Sequence, residues 1–204
     1  MVNKENERFY NFNSFNFFLG VIYEENGITK EQLAFIMDLK NNKRGRLNEY
    51  LSFSSTAKFF EKEKPWKNFK ADIALPCATQ NEIDEEDARA LLTNGVYLVA
   101  EGANMPSTSK AIEFYLKNGI LYGPAKASNA GGVACSGLEM SQNSLRLVWT
   151  WQEVEKDLHG IMKNIFKEAY DASEKFGQKG NLQLGANAAG FLKVAKAMKY
   201  EGYV

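Results

Sequence analysis

The sequence predicts an α/β fold: a mainly parallel sheet in the first two thirds, followed by a group of long C-terminal helices. Three observations point there. Short apolar segments, ADIALPCA (71–78), VYLVAEGAN (96–104) and ILYGPAK (120–126), alternate with capped helical segments. That rhythm leaves connections long enough for helical crossovers between parallel strands. Beyond Asn129 the strand signals stop and helical periodicity takes over. The composition can fill a core, with 45% hydrophobic residues including 14 Phe and 9 Tyr.

Residues 1–19 combine five Asn with six aromatic residues and show no clean period; Ser14–Leu19 is a candidate strand. GITKEQLAFIMDLK then opens with Thr29 as N-cap and Gln32 three positions into the helix, with Leu33, Ile36 and Met37 expected on one face. RGRLNEYL (44–51) suits a second short helix. After the first apolar strand, Asp84 with Asp87 starts a helix that Gly95 ends. After the second strand, a Pro and Ser/Thr cap region begins a helix that ends at Gly119. The tail reads as three helices. One runs over SNAGGVACSGLEMSQNSLRLVW, and one follows a break at Trp151 marked by the Thr150/Glu153 capping box. The last covers ANAAGFLKVAKAMKYEG.

Composition also narrows function. Lys+Arg and Asp+Glu balance at 25 each with no long run of one sign, so nothing favours nucleic acid or an anionic membrane as partner. The apolar stretches are too short to span a bilayer. Cys77 and Cys135 lack CxxC spacing and a secretory context, which reads as reduced thiols in a cytoplasmic protein. A single histidine, His159, set within a helix, argues against a His-based metal site or a Ser-His-Asp triad. No metal site is expected. Glu85, Glu86 and Asp87 complement a helix dipole rather than form an acid/base pair. Lys40, Lys43, Arg44 and Arg46 form a basic cluster suited to a solvated face or a phosphate contact.

Ligands of parallel α/β sheets bind beyond the carboxyl ends of the strands. Here those ends are Pro76–Asn81, Glu101–Pro106 and Gly123–Lys126, all rich in small or amide residues. Such residues admit a cofactor ring and hydrogen-bond neutral groups, but they also serve plain chain reversal, and both readings stand. On the helix from Asn129, a 100° step aligns Asn129, Val133, Ser136, Met140 and Asn143. Two polar groups thus flank a hydrophobic contact. Gly131, Gly132 and Gly137 each disfavour a helix by roughly 1 kcal/mol relative to Ala, which implies close approach of a ligand or of another helix.

The stretches MDLKNNKRGR, KPWKNFKADIALPCATQNEID, VAEGANMPST, GILYGPAKASNAGGVACSGLEMSQNS and LQLGANAAGFLKVAKAM, in this order, resemble hexameric NADP-dependent glutamate dehydrogenases of bacteria and lower eukaryotes. GANMPST followed by NAGGV and SGLEMSQN is the most specific part. The resemblance covers about residues 20–204 and corresponds to the C-terminal portion of that family. It implies residues 1–19 as an unmatched leader, 20–128 as the second half of a Rossmann-like dinucleotide-binding domain, and 129–204 as the family's C-terminal helical segment. It implies NADP as cofactor and glutamate or 2-oxoglutarate as ligands. Ala78, Thr79 and Gln80 would line the cofactor ribose. Asn104 would contact the nicotinamide side, and Asn129 would bond the carboxamide. Ser136 would bond the substrate γ-carboxylate while Val133 packs on its carbon chain. The last helices would help govern cleft closure.

The departures are as informative. The family's substrate domain, with its carboxylate-binding lysines, catalytic lysine and proton-relaying aspartate, is not among these residues. No GxGxxG or GxGxxA turn occurs. Asn16-Phe17-Phe18-Leu19 stands where the family discriminates NADP from NAD. No catalytic residue is therefore assigned, and a chain of this extent is expected to be inactive alone. It would otherwise act as a non-catalytic subunit, either joining a homo-oligomer or complementing a separately encoded N-terminal half.

Overall fold

The computed structural model describes residues 14–17 and 20–202, and these form two compact units that divide between Phe69 and Lys70. Of the leader, Ser14–Phe17 forms strand β1; the rest lies outside the described residues, including Phe18 and Leu19 of the expected strand.

In the N-terminal unit β1 pairs antiparallel with β2 (Gly20–Tyr23), which pairs antiparallel with β3 (Lys58–Glu61). GVIY and KFFE are strands that the sequence did not announce, and they add an antiparallel sheet to the expected parallel one. Each is four residues long, too short for alternation to show, and 34 residues separate them. Helix α1 (Lys30–Asn41) starts as expected: the Thr29 N–H donates to Gln32 Oε1 at 2.7 Å and the Gln32 N–H to Thr29 Oγ1 at 3.2 Å. Its buried face is centred on Ile36 and Leu39 with Leu33 beside them, whereas Met37 is exposed. Met37 follows Ile36 by about 100°, away from Leu39. RGRLNEYL gives a 3-10 helix, Leu47–Ser52. Ile22, Ile28, Ile36, Leu47 and Tyr50 form the core. Buried within it, the Glu24 carboxylate accepts from Tyr50 Oη (2.9 Å), Gln32 Nε2 (3.0 Å), Thr56 Oγ1 (2.7 Å) and Ser54 Oγ.

The C-terminal unit holds the parallel sheet, in the order β4 (Ile73–Ala74), β5 (Leu98–Ala100), β6 (Leu121–Gly123). Helices α2 (Glu85–Thr93) and α3 (Ser109–Lys117) are the crossovers and pack on one another. Asp84 and Asp87 cap α2 reciprocally, and Gly95 and Gly119 leave the two helices at positive φ. The strands are shorter than the apolar runs, because only central positions such as Ala74, Val99 and Tyr122 are buried, while Leu121 is exposed.

After β6 a four-residue helix, α4 (Ala125–Ser128), precedes α5 (Ala130–Leu145), α6 (Trp151–Lys175) and α7 (Leu182–Glu201). The expected single helix from Ser128 to Trp149 is thus bounded by a junction at Asn129 and by left-handed Arg146 (φ 55°). The Thr150/Glu153 capping box starts α6 as expected. Helix α7 begins four residues before the expected start, capped by Asn181 Oδ1, which accepts from Leu184 N at 3.0 Å. Gly185, within this added first turn, lets α7 cross α6 closely. An added Cβ there would lie 1.9 Å from the Ala169 carbonyl oxygen.

Candidate functional site

The carboxyl ends of β4, β5 and β6 are stitched together mainly through backbone groups. Gly102 N and Ala103 N donate to Pro76 O at 2.9 and 3.0 Å, Asn81 N to Met105 O at 2.9 Å, and Ile83 N to Pro106 O at 2.9 Å. Asn81 and Met105, joined by one of these bonds, both adopt positive φ (56° and 47°). Gly102 faces Cys77 so closely that a Cβ would lie 2.4 Å from its sulfur. Burial, and secondarily the Glu82 carboxylate, push the Cys77 thiol above its ordinary value, which disfavours a nucleophilic thiolate.

One residue beyond β5, the Glu101 carboxylate is buried. Its Oε1 accepts from Ser107 N at 3.2 Å, its Oε2 from Ala125 N at 3.0 Å, and the Tyr122 hydroxyl bonds the same group. Ser128 Oγ donates to the main-chain oxygen of Glu101 and, at 3.2 Å, to that of Gly123. These contacts fix the start of α4, whose end is Asn129.

Asn129 Nδ2 donates to Asn104 Oδ1 at 3.1 Å and to Ala103 O at 3.2 Å. The structure thus joins two of the residues singled out in the sequence. Ala78, Thr79 and Gln80 are exposed on the β4–α2 loop, where Thr79 N donates to Glu82 Oε2 at 3.3 Å. Val133 (79% exposed) and Ser136 lie open on α5. The glycines on this helix divide. Gly131 faces Met162 and Leu158 of α6 at ordinary contact, while Gly132 and Gly137 face open space. With 100° steps, Asn129, Gly132, Val133, Ser136, Gly137 and Met140 share an arc of about 140°, so one small-residue face of α5 is uncovered.

A shallow trough lined by Asp84, Glu85, Glu86, Thr108, Ser109 and Lys110 lies where α2 and α3 begin. It contains none of the candidate cofactor or substrate residues, and its acidic lining suits an anionic dinucleotide poorly. Among the described residues no cluster of three or more His, Cys, Asp or Glu suits a metal, and no helix is long and apolar enough to cross a membrane. The sequence placed Glu101 at the start of a strand end without giving it a role of its own. Its signal was an acidic side chain directly after a buried strand, amid Gly and Ala, where a carboxylate must find internal donors.

Comparison with known proteins agrees with the motifs. Residues 18–202 match the family model described as Glutamate/Leucine/Phenylalanine/Valine dehydrogenase. An NADP-specific glutamate dehydrogenase of Giardia intestinalis is 51% identical over 91% of this chain and 42% of its own length. An NAD(P)-specific glutamate dehydrogenase of Xylanibacter ruminicola is 54% identical over 90% of this chain and 41% of its own length. A crystal structure of Plasmodium falciparum glutamate dehydrogenase superposes with a TM-score of 0.89 at 50% identity, covering 94% of this chain and 41% of that one. The chain therefore spans about two fifths of the length of these relatives. It belongs to the Glutamate/Leucine/Phenylalanine/Valine dehydrogenase family and corresponds to the C-terminal portion of a glutamate dehydrogenase.

Proposed function

We propose that this chain forms the nicotinamide-side wall of a glutamate dehydrogenase cleft, serving the NADP-linked interconversion of 2-oxoglutarate and L-glutamate. The observation that carries the reading is the Asn104–Asn129 amide pair at the strand ends, followed on α5 by exposed Val133 and Ser136. With Asn129 Nδ2 given to Asn104 Oδ1, the pair still offers an acceptor at Asn129 Oδ1 and a donor at Asn104 Nδ2. A carboxamide needs one of each, so the donor set fits the nicotinamide end of the cofactor, which when bound supplies or accepts hydride. Asn129 and Asn104 orient that end, and Ala78, Thr79 and Gln80 line the ribose. Ser136 bonds a substrate carboxylate and Val133 packs against its methylenes. Residues 20–128 then act as half of the nucleotide domain and 129–204 as the helical segment. NADP is preferred over NAD as the working cofactor on the strength of the Giardia relative, although the Xylanibacter enzyme is described as using both. Both cysteines are free, which suits the cytoplasm.

A polypeptide limited to these 204 residues holds neither a glycine-rich pyrophosphate turn nor an assigned general acid or base. Each missing acid/base group typically costs about 10²–10⁴ in rate. The purified chain is therefore expected to give no NADPH oxidation with 2-oxoglutarate and ammonium, and measurable turnover would refute this. A second reading, a subunit that complements a separate N-terminal half or joins full-length subunits, is favoured by the open face of α5. Restored turnover on mixing with the complementary three fifths of a relative would support it, and a lone, monodisperse chain that recovers nothing would count against it.

A further inference from the structure

We propose that Glu101 is a positioning residue for this cofactor wall, holding the Asn104 loop and the Asn129 junction in the register at which their amides meet. The inference rests on the reading of that pair as the nicotinamide contact. Glu101 follows the middle strand of the parallel sheet, and its own N–H continues the ladder to Gly123 O at 3.0 Å. The side chain is 2% exposed and its two oxygens are divided between two loops. Oε1 takes the Ser107 N–H, which closes the loop carrying Asn104; Oε2 takes the Ala125 N–H, which opens the four-residue helix ending at Asn129. From the other side Ser128 Oγ reaches the Glu101 main-chain oxygen, so the residue is gripped by the Asn129 junction through both backbone and side chain.

The chemistry requires a carboxylate. It presents two acceptor oxygens at a fixed separation, whereas an amide of the same shape presents one acceptor and one donor. In Glu101→Gln one of the two loop N–H groups must face an NH2 group. The Tyr122 hydroxyl is a third, neutral donor to the same group, so Tyr122→Phe removes a contact that belongs to neither loop N–H. Glu24 supplies the control. It is equally buried among neutral donors, but it belongs to the N-terminal unit and holds α1, the 3-10 helix and the Ser54–Thr56 turn. A purely structural penalty for removing a buried charge appears in both variants; a positioning effect appears only in Glu101→Gln.

The test is performed on the full ¹⁵N-labelled chain, reading the side-chain NH2 signals of Asn104 and Asn129 with nicotinamide mononucleotide as probe. In the wild type the Asn129 NH2 exchanges slowly, and the probe shifts both asparagines. In Glu101→Gln the Asn129 protection falls by roughly tenfold or more and the probe concentration for half-saturation rises by at least about tenfold, while Glu24→Gln and Tyr122→Phe leave both unchanged. A folded Glu101→Gln with wild-type Asn129 protection overturns the proposal. If that variant does not fold, the wild-type backbone decides: slow exchange at Ser107 and Ala125 N–H supports the staple, and free exchange at either overturns it. Should the probe shift nothing in the wild type while Glu101→Gln still releases Asn129, the positioning role stands and the nicotinamide reading fails.

Discussion

Gly102 shows how little room the strand-end loops contain. Its backbone passes under the Cys77 sulfur, and its N–H is committed to Pro76 O, so a side chain has no direction in which to retreat. Gly102→Ala is expected to destabilise the chain by about 1–3 kcal/mol, as overpacking does, and Cys77→Ala in the same molecule is expected to recover most of that loss. Urea unfolding of the two single variants and the double variant measures the coupling; additive losses would show that sulfur and methyl do not compete. At this scale the sequence was partly readable. Asn129, Val133 and Ser136 could be aligned from helical periodicity, because they lie within about two turns of each other. The bond from Asn129 to Asn104 could not, since the two stand 25 positions apart and only the sheet brings them together. Glu101 was hidden for the same reason: its two donors sit 6 and 24 residues away in different loops.

Helices α6 and α7 cross closely at Gly185. Gly185 meets the Ala169 carbonyl, and Ser173, fully buried beside it, accepts from Gly180 N at 3.1 Å and donates to Tyr170 O at 2.7 Å. A backbone oxygen cannot rotate away as a side-chain tip can. Gly185→Ala is therefore expected to cost at least about 2 kcal/mol despite its gain in helix propensity. The thermal midpoint of the variant checks this, and an unchanged or raised midpoint would mean that the helices separate without penalty. Element starts were the most legible feature of the sequence. The reciprocal caps at Thr29/Gln32, Asp84/Asp87 and Thr150/Glu153 need only residues three apart. Element ends and the antiparallel sheet were less so. Arg146 stops α5 in a left-handed conformation with no glycine to announce it, and β2 finds its partner β3 only across α1 and the 3-10 helix. The early start of α7 was less legible because it carries only the Asn181 cap, with no reciprocal capping box.

Over the whole molecule, each compact unit buries tyrosines whose ionisation folding opposes. Burial raises Tyr50 in the N-terminal unit and Tyr115 and Tyr122 in the other, with the Glu24 carboxylate adding to the first and Glu101 to the last. The folded state holds these protons more tightly than the unfolded chain, whose tyrosines titrate near about pH 10. Stability is thus complete below that range and is lost progressively as the pH rises beyond it. Absorbance at 295 nm followed with circular dichroism should show these three phenols ionising only as ellipticity collapses. Full ionisation of all nine tyrosines while the helical signal persists would contradict the burial. The broad α/β class and the helical tail were legible at this scale because they depend on counts and on periods that survive averaging over many residues. The crossing at Gly185 also has a mechanical consequence. Two helices that meet backbone to backbone at this position resist sliding past one another there. Asn187, two residues along from that glycine, receives the Lys126 ammonium from α4, the helix that ends at Asn129. A tilt of the α6–α7 pair would therefore be felt at the amide corner through the Lys126–Asn187 bond.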